Sequence, residues 1–199
     1  MPELERLLAT CDDDGLAGVR DRALLLFGFA SGGRRRSEIA AAQLSRLTRR
    51  PKGDFLYEIG RTKSDGARSG KAAREDRYKP IKGSAAAALD AWLAAAKLVP
   101  GGEGPLFRRI VTAGAKNAER RVSGKPLTGH RINEMIKRRA AAAGLNAGVA
   151  AHSLRRGFVT EGLKRGKPLP AIMLLSGHKT PKQAMQYYAE DNALENPSA

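Results

Sequence analysis

Residues 54–61, DFLYEIGR, and residues 76–81, DRYKPI, interrupt a chain that otherwise repeats with the period of a helix. Both runs are short and rich in the aromatic and β-branched residues that suit a pleated, half-buried surface. Between them, Thr62 to Glu75 is dominated by Gly, Ser, Lys and Arg. The pair therefore predicts two strands joined by a long basic hairpin.

Working outward, the flanks read as helices. Leu4, Leu7 and Leu8 fall at helical spacing, and Asp12 to Asp14 with Gly15 break the pattern. Val19 to Ser31 is apolar enough for a buried helix, and Gly32 and Gly33 stop it. Another helix runs from Arg36 to Leu44, with Ile39 and Ala40 as core candidates. Ser84 to Leu98 is an Ala/Leu helix carrying Asp90 and Trp92, stopped by Pro100-Gly101-Gly102. Leu106 to Val111 suits a short strand or a loop, and Thr112 to Lys125 reads as a polar surface loop. Beyond Leu127, helices are expected over about Thr128–Ala143, Ser153–Arg165, Leu169–Ser176 and Pro181–Ala189, each break marked by Gly or Pro. Asn192 to Ala199 is expected to be a disordered tail. No internal repeat or interdomain linker is visible. The fold class is α+β, mostly helical, with a small antiparallel sheet in one domain over residues 1–191.

Charge narrows the function. Among 199 residues, 36 are Lys or Arg against 20 Asp or Glu, a formal charge of +16. So large an excess implies a polyanionic partner, because neutralised phosphates release condensed counterions. Residues 61–82 hold eight Lys or Arg against three acidic residues, and residues 108–139 hold ten against two. Aromatic residues make up only 5%, which argues against single-strand binding by base stacking. No apolar run reaches the ~18 residues that span a bilayer, and the N-terminus lacks the pattern of a signal peptide. One cysteine, Cys11, permits neither an internal disulfide nor a thiolate zinc site, and suits a reducing cytoplasm.

Several polar residues are not explained by this pattern. His152 and Arg155 stand three apart on one helix face. Together they suit a phosphate: the guanidinium forks onto two oxygens and the imidazole donates to a third or moves a proton. His178, in LSGH (175–178), lies just before a helix start capped by Thr180, with Pro181 at the first turn. Backbone N–H groups there favour an anion. Tyr187 lies about two turns into that helix. Pro181, Ala184 and Tyr188 form an apolar stripe, which assigns Tyr188 to packing and leaves Tyr187 for chemistry. Finally, Arg34, Arg35 and Arg36 crowd a helix start, against the preference of the helix dipole, which suggests a functional reason.

These stretches resemble the tyrosine recombinases of the phage integrase family. GGRRRSEI (32–39) looks like their first arginine motif, HSLR (152–155) like their HxxR motif, and LSGH (175–178) followed nine residues later by a tyrosine like their last. The resemblance covers nearly the whole chain in the right order. It implies the integrase catalytic-domain fold, with Arg35, His152, Arg155, His178 and Tyr187 as catalytic residues and Glu38 supporting Arg35. The hairpin RTKSD (61–65) resembles the turn presenting a catalytic lysine, Lys63, with Lys71 as the alternative. The implied reaction is attack of Tyr187 on a DNA phosphate, giving a 3′-phosphotyrosine bond and a 5′-hydroxyl. Arg35, Arg155 and His178 would bind the phosphoryl oxygens, Lys63 would protonate the leaving oxygen, and His152 would take or return the Tyr proton. A phenol ionises near pH ~10 and needs that help. Neither ATP nor a metal or other cofactor is required.

The implied partner is double-stranded DNA, bound by one chain or by a homodimer or homotetramer. Most family members also carry an N-terminal core-binding domain, which is expected to be absent here. Rival readings are a type IB topoisomerase-like enzyme, a DNA-binding protein of the same fold without strand transfer, and a basic RNA-binding protein.

Overall fold

A computed structural model describes residues 2–12, 14–60, 77–112 and 120–195, the last six by backbone alone. The helices are α1 (Pro2–Ala9), α2 (Gly15–Ala30), α3 (Arg36–Ala40), α4 (Gly83–Ala95), α5 (Gly129–Ala142), α6 (Ala151–Lys164), α7 (Leu169–Ser176) and α8 (Pro181–Glu195). The strands are β1 (Leu47–Arg49), β2 (Phe55–Glu58), β3 (Tyr78–Ile81), β4 (Arg108–Thr112) and β5 (Arg120–Pro126).

The expected α+β architecture is present, mostly helical with small antiparallel sheets. Its first sheet has one strand more than the sequence suggests. β1 and β3 both pair antiparallel with the central β2, with Leu56 opposite Thr48 and Pro80. β1 escapes a reading by periodicity because it is three residues long and buries only Leu47. Pro80 has no N–H to donate and is tolerated on an edge strand. Alternation buries Phe55 and Tyr57 of β2, and Lys79 and Ile81 of β3.

A second correction concerns residues 112–125. Arg120 to Lys125 are not loop but most of β5, which pairs antiparallel with β4 in a separate two-stranded sheet. None of β5 is buried, so its side chains carry no period-two signal, and backbone pairing alone makes the strand. The tail also starts later than expected: α8 continues through Glu195. Ala193, Leu194 and Glu195 are good helix formers and extend it. Residues 196–199 lie outside the described residues, as do Lys63, Lys71 and the rest of 61–76.

The main core lies between α2 and α4, closed by the first sheet and by α5 and α6. α2 is apolar on nearly every face and buries Leu24, Leu25 and Phe27 almost completely. Phe27 packs edge-on against Tyr57 and Phe107, with ring centroids 5.0 Å and 5.4 Å away. Trp92 of α4 is fully buried, and its Nε1 donates to the Leu106 carbonyl at 2.9 Å. A smaller cluster, Val159, Ile172 and Ala184, holds α6, α7 and α8 together. The functional residues sit where this second cluster meets the first.

Candidate active site

Three short elements converge here: the turn between α2 and α3, the start of α6, and the corner from α7 to α8. The turn comes close because Gly32 and Gly33 have φ of 108° and 68°. A Cβ on Gly32 would meet the Leu175 carbonyl oxygen at 2.1 Å, and one on Gly33 would meet Arg155 Cα at 2.5 Å. Any other side chain at either position would force the turn off α6 and α7.

The three arginines that follow have different surroundings. Arg34 turns inward, is 5% exposed, and donates to the Leu175 carbonyl. Arg35 stays at the surface, with Nη1 3.4 Å from Glu38 Oε1. Arg36 is exposed and begins α3. Glu38 anchors the turn: its Oε2 accepts the Arg35 backbone N–H at 2.8 Å and lies 3.9 Å from Arg34 Nη1. Glu38 thus contacts both Arg34 and Arg35.

On α6, His152 is exposed at the helix start and Arg155 is buried to 1%. Arg155 Nη1 donates to the carbonyls of Ser176 at 2.6 Å and Gly33 at 3.3 Å. Its Nη2 is buried without a hydrogen-bond partner, as is Nε of Arg34; they are the two such side-chain atoms among the described residues. Burial, with Arg35 adding to it, lowers the Arg155 pKa, while Glu38 and Tyr187 oppose the shift. Burial likewise pulls Arg34 down to about 10, against the pull of Glu38. Both remain cations at neutral pH. Arg155, desolvated and with Nη2 left without an acceptor, is the guanidinium placed to attract an anion, and Arg34 behind it adds to the positive field.

Tyr187 closes the site. Its hydroxyl lies 3.0 Å from His152 Nε2, and its ring centroid is 5.4 Å from that of His152 and 5.5 Å from that of His178. The sequence reading had Tyr188 as the packing tyrosine and Tyr187 as unburdened. Instead Tyr187 itself packs on the Val159, Ile172 and Ala184 cluster while its hydroxyl reaches the histidine. The helical stripe through Ala184 was too coarse to separate neighbours, because Tyr187 also follows Ala184 by three residues. His178 follows Gly177, the left-handed C-cap of α7, and its Nδ1 is 2.8 Å from Ser176 Oγ. Burial, followed by Arg155, Arg35, His152 and Arg34, pulls its pKa down to about 4, so the ring is neutral at pH 7.

The structure thus brings together Arg35, His152, Arg155, His178, Tyr187 and Glu38. Reading the sequence missed Arg34, Ser176 and Lys79 as partners of this site. Lys79 carried a signal: it falls in phase with Ile81 on the core face of a strand. Among the described residues, no group of three or more His, Cys, Asp or Glu is placed to hold a metal ion.

Comparison with known proteins fits this arrangement. Residues 2–194 match the phage integrase family. The chain belongs to that family. As a phage integrase family member it is 29% identical over 197 residues to an integrase/recombinase XerD homolog of Selenomonas ruminantium, covering 98% of this chain and 54% of that protein. It is 30% identical over 179 residues to the tyrosine recombinase XerD of Xanthomonas axonopodis pv. citri (strain 306), covering 89% and 53%. The chain therefore spans about half the length of the curated relatives it matches. Among solved structures, the XerH site-specific recombinase bound to palindromic difH substrate shares the fold, with a TM-score of 0.67 and 21% identity over 99% of this chain and 50% of that one. Among the described residues, no helix is long and apolar enough to cross a membrane.

Proposed function

We propose that this protein is a site-specific DNA recombinase that breaks and rejoins strands through a covalent tyrosine intermediate. The observation that carries the reading is the Tyr187 hydroxyl, 3.0 Å from His152 Nε2 and beside the buried, half-satisfied guanidinium of Arg155. A nucleophile within hydrogen-bond reach of a base, next to cations awaiting an anion, is the arrangement phosphoryl transfer needs. Family membership and relatives named as tyrosine recombinases support it.

In this reading the Tyr187 oxygen attacks a backbone phosphorus, and its proton passes to His152. The new O–P bond gives a 3′-phosphotyrosine. The P–O5′ bond breaks, and Lys63, or Lys71 in the same hairpin, protonates the leaving 5′-oxygen. Reversal by another 5′-hydroxyl rejoins the strand, so bond energy is conserved without ATP. Arg35 and Arg155 neutralise the oxygens that gain charge in the transition state. His178, neutral at pH 7, contributes an N–H rather than a full charge. In the tautomer whose Nδ1 accepts from the Ser176 hydroxyl, that N–H sits on Nε2, where it can meet a third oxygen. Double-stranded DNA is the substrate, held along the basic segments 61–82 and 108–139 by phosphate contacts, with pairs or tetramers of the chain assembling on it. A DNA substrate places the protein with the nucleoid in the cytoplasm.

The test is a denaturing gel after incubation with nicked suicide duplexes of randomised sequence. A covalent protein–DNA adduct is expected, lost in Tyr187→Phe and retained in Tyr188→Phe. No adduct from a protein shown to bind those duplexes overturns the enzymatic reading. Loss of the adduct in Tyr188→Phe with retention in Tyr187→Phe overturns the choice of nucleophile.

A further inference from the structure

The C-terminus of α7 is the corner from which His178 and α8 depart. A helix ends in carbonyls with no intrahelical partner. Three consecutive ones here are each met by a cation from a different element. Lys79 Nζ of β3 donates to the Leu174 carbonyl at 2.8 Å. Arg34 of the α2–α3 turn donates to the Leu175 carbonyl. Arg155 Nη1 of α6 donates to the Ser176 carbonyl at 2.6 Å. The carbonyl before them, Met173, accepts the Gly177 N–H at 2.7 Å.

Two of these cations lie inside the protein. Lys79 and Arg34 are 4% and 5% exposed, and each gives a donor to a backbone carbonyl of α7. Lysine and arginine almost never enter an interior without a partner. Lys79 occupies a core-facing position of β3 beside Ile81, where an aliphatic side chain would avoid desolvating an ammonium. Its position supplies a donor to the partially negative end of α7. Gly32 allows the second contact, since a Cβ there would collide with the same Leu175 oxygen. All three acceptors are backbone atoms, so the cap holds the helix end itself.

We propose that Lys79 and Arg34 are positioning residues that, with Arg155, cap α7 and fix the corner carrying His178 and Tyr187 for strand cleavage. The inference rests on the cleavage reading above. Neither residue touches DNA; both act through the backbone that places the imidazole and the phenol. Holding reacting groups in register matters because a displacement of about 1 Å costs on the order of 10²-fold in rate.

Lys79→Met and Arg34→Met in the full chain keep a buried stem and remove the donor. Hydrogen exchange is measured without DNA, and single-turnover adduct formation with saturating nicked duplexes of randomised sequence. Exchange over residues 174–187 is expected to quicken about tenfold, while α2 and α4 keep their protection. Adduct formation is expected to slow about ten- to hundredfold with DNA affinity unchanged. In a His178→Ala background the loss from Lys79→Met should shrink, because the two changes act on one step. Arg34→Lys should restore part of the rate. Unchanged exchange at the corner overturns the proposal. So does faster exchange with a wild-type adduct rate, or an equal loss in the His178→Ala background. If Lys79→Met does not fold, Arg34→Met tests the same corner. A wild-type protein that binds the duplexes but forms no adduct refutes the cleavage reading, and the exchange comparison then decides the cap by itself.

Discussion

Four arginines are buried among the described residues, in two clusters that solve the same problem in opposite ways. Arg20 and Arg139 gather around Asp21, which is fully buried between α2 and α5. Asp21 Oδ1 accepts Arg20 Nε at 2.9 Å and Nη2 at 2.7 Å. Its Oδ2 accepts Arg139 Nη2 at 2.8 Å and Nε at 3.1 Å, with Arg138 Nη2 at 3.3 Å. Arg139 also reaches Asp14 Oδ2 at 2.6 Å. Burial is the largest single influence on the Arg139 pKa and pulls it down, but the hydrogen bonds and charge of Asp21, with Cys11 and Asp14, together outweigh it and the net shift is upward. At Arg34 and Arg155 burial wins and the net shift is downward. Both orphaned guanidinium nitrogens belong to this second pair. The first cluster has its anion built in. The second has only Glu38, 3.9 Å from Arg34 Nη1 and outweighed by burial, and that incomplete compensation is what distinguishes a site from a strut.

The largest effect should come from removing the built-in anion. Asp21→Ala would strand Arg20 and Arg139 in the interior, and losing one partner of a buried ion pair costs about 3–5 kcal/mol. Urea unfolding should show this, while adduct formation per folded molecule stays at the wild-type level. A loss below about 1 kcal/mol, the range of exposed pairs, would mean that the cluster is not a strut.

Arg155→Met should reverse the pattern. Removing one transition-state donor typically lowers rates on the order of 10²–10³-fold. The fold loses two carbonyl contacts but also sheds a desolvated charge, so the unfolding midpoint should move far less than in Asp21→Ala. An Arg155→Met protein that is severely destabilised yet cleaves at the wild-type rate would place Arg155 with the struts. A milder probe needs no DNA. Inorganic phosphate at about ten times its dissociation constant stabilises a protein by about 1.4 kcal/mol. Thermal unfolding at matched ionic strength should show a rise in wild type and none in Arg155→Met. An equal rise in both would put the bound anion elsewhere.

The two clusters were not equally legible in the sequence. His152, Arg155, His178 and Tyr187 stand out because helical spacing and the LSGH–tyrosine interval are local patterns. Asp21 and Arg139 are 118 positions apart, and no local pattern pairs them. The same limit hid Lys79 and Arg34, whose partners are carbonyls 95 and 141 positions away. The helix over Leu169–Ser176 has the expected bounds, but α2 starts at Gly15 rather than Val19 and α3 stops at Ala40 rather than Leu44, and β1 and β5 had no signal at all, because strands with one buried residue or none have no periodicity to read.

The smallest effect, and the finest test of the contrast, concerns His178. Burial and then the surrounding cations hold its pKa at about 4, below the ~6.5 of a free imidazole. The folded value lies below the unfolded one, so between those limits the unfolded chain binds the proton first. Stability should therefore rise with pH across that window and level off above it. The ring is only partly buried, so solvent screening keeps the change small, and imidazole chemical shifts report it better than denaturation. Arg35→Ala should raise the His178 midpoint, and phosphate bound among the arginines should raise it further. Asp21→Ala should leave it unmoved, since the struts lie outside this field. A midpoint near ~6.5 in the free protein, indifferent to Arg35, would show that the incompletely compensated cations do not share one electrostatic field at the histidine. The second cluster would then differ from the first in hydrogen-bond satisfaction alone.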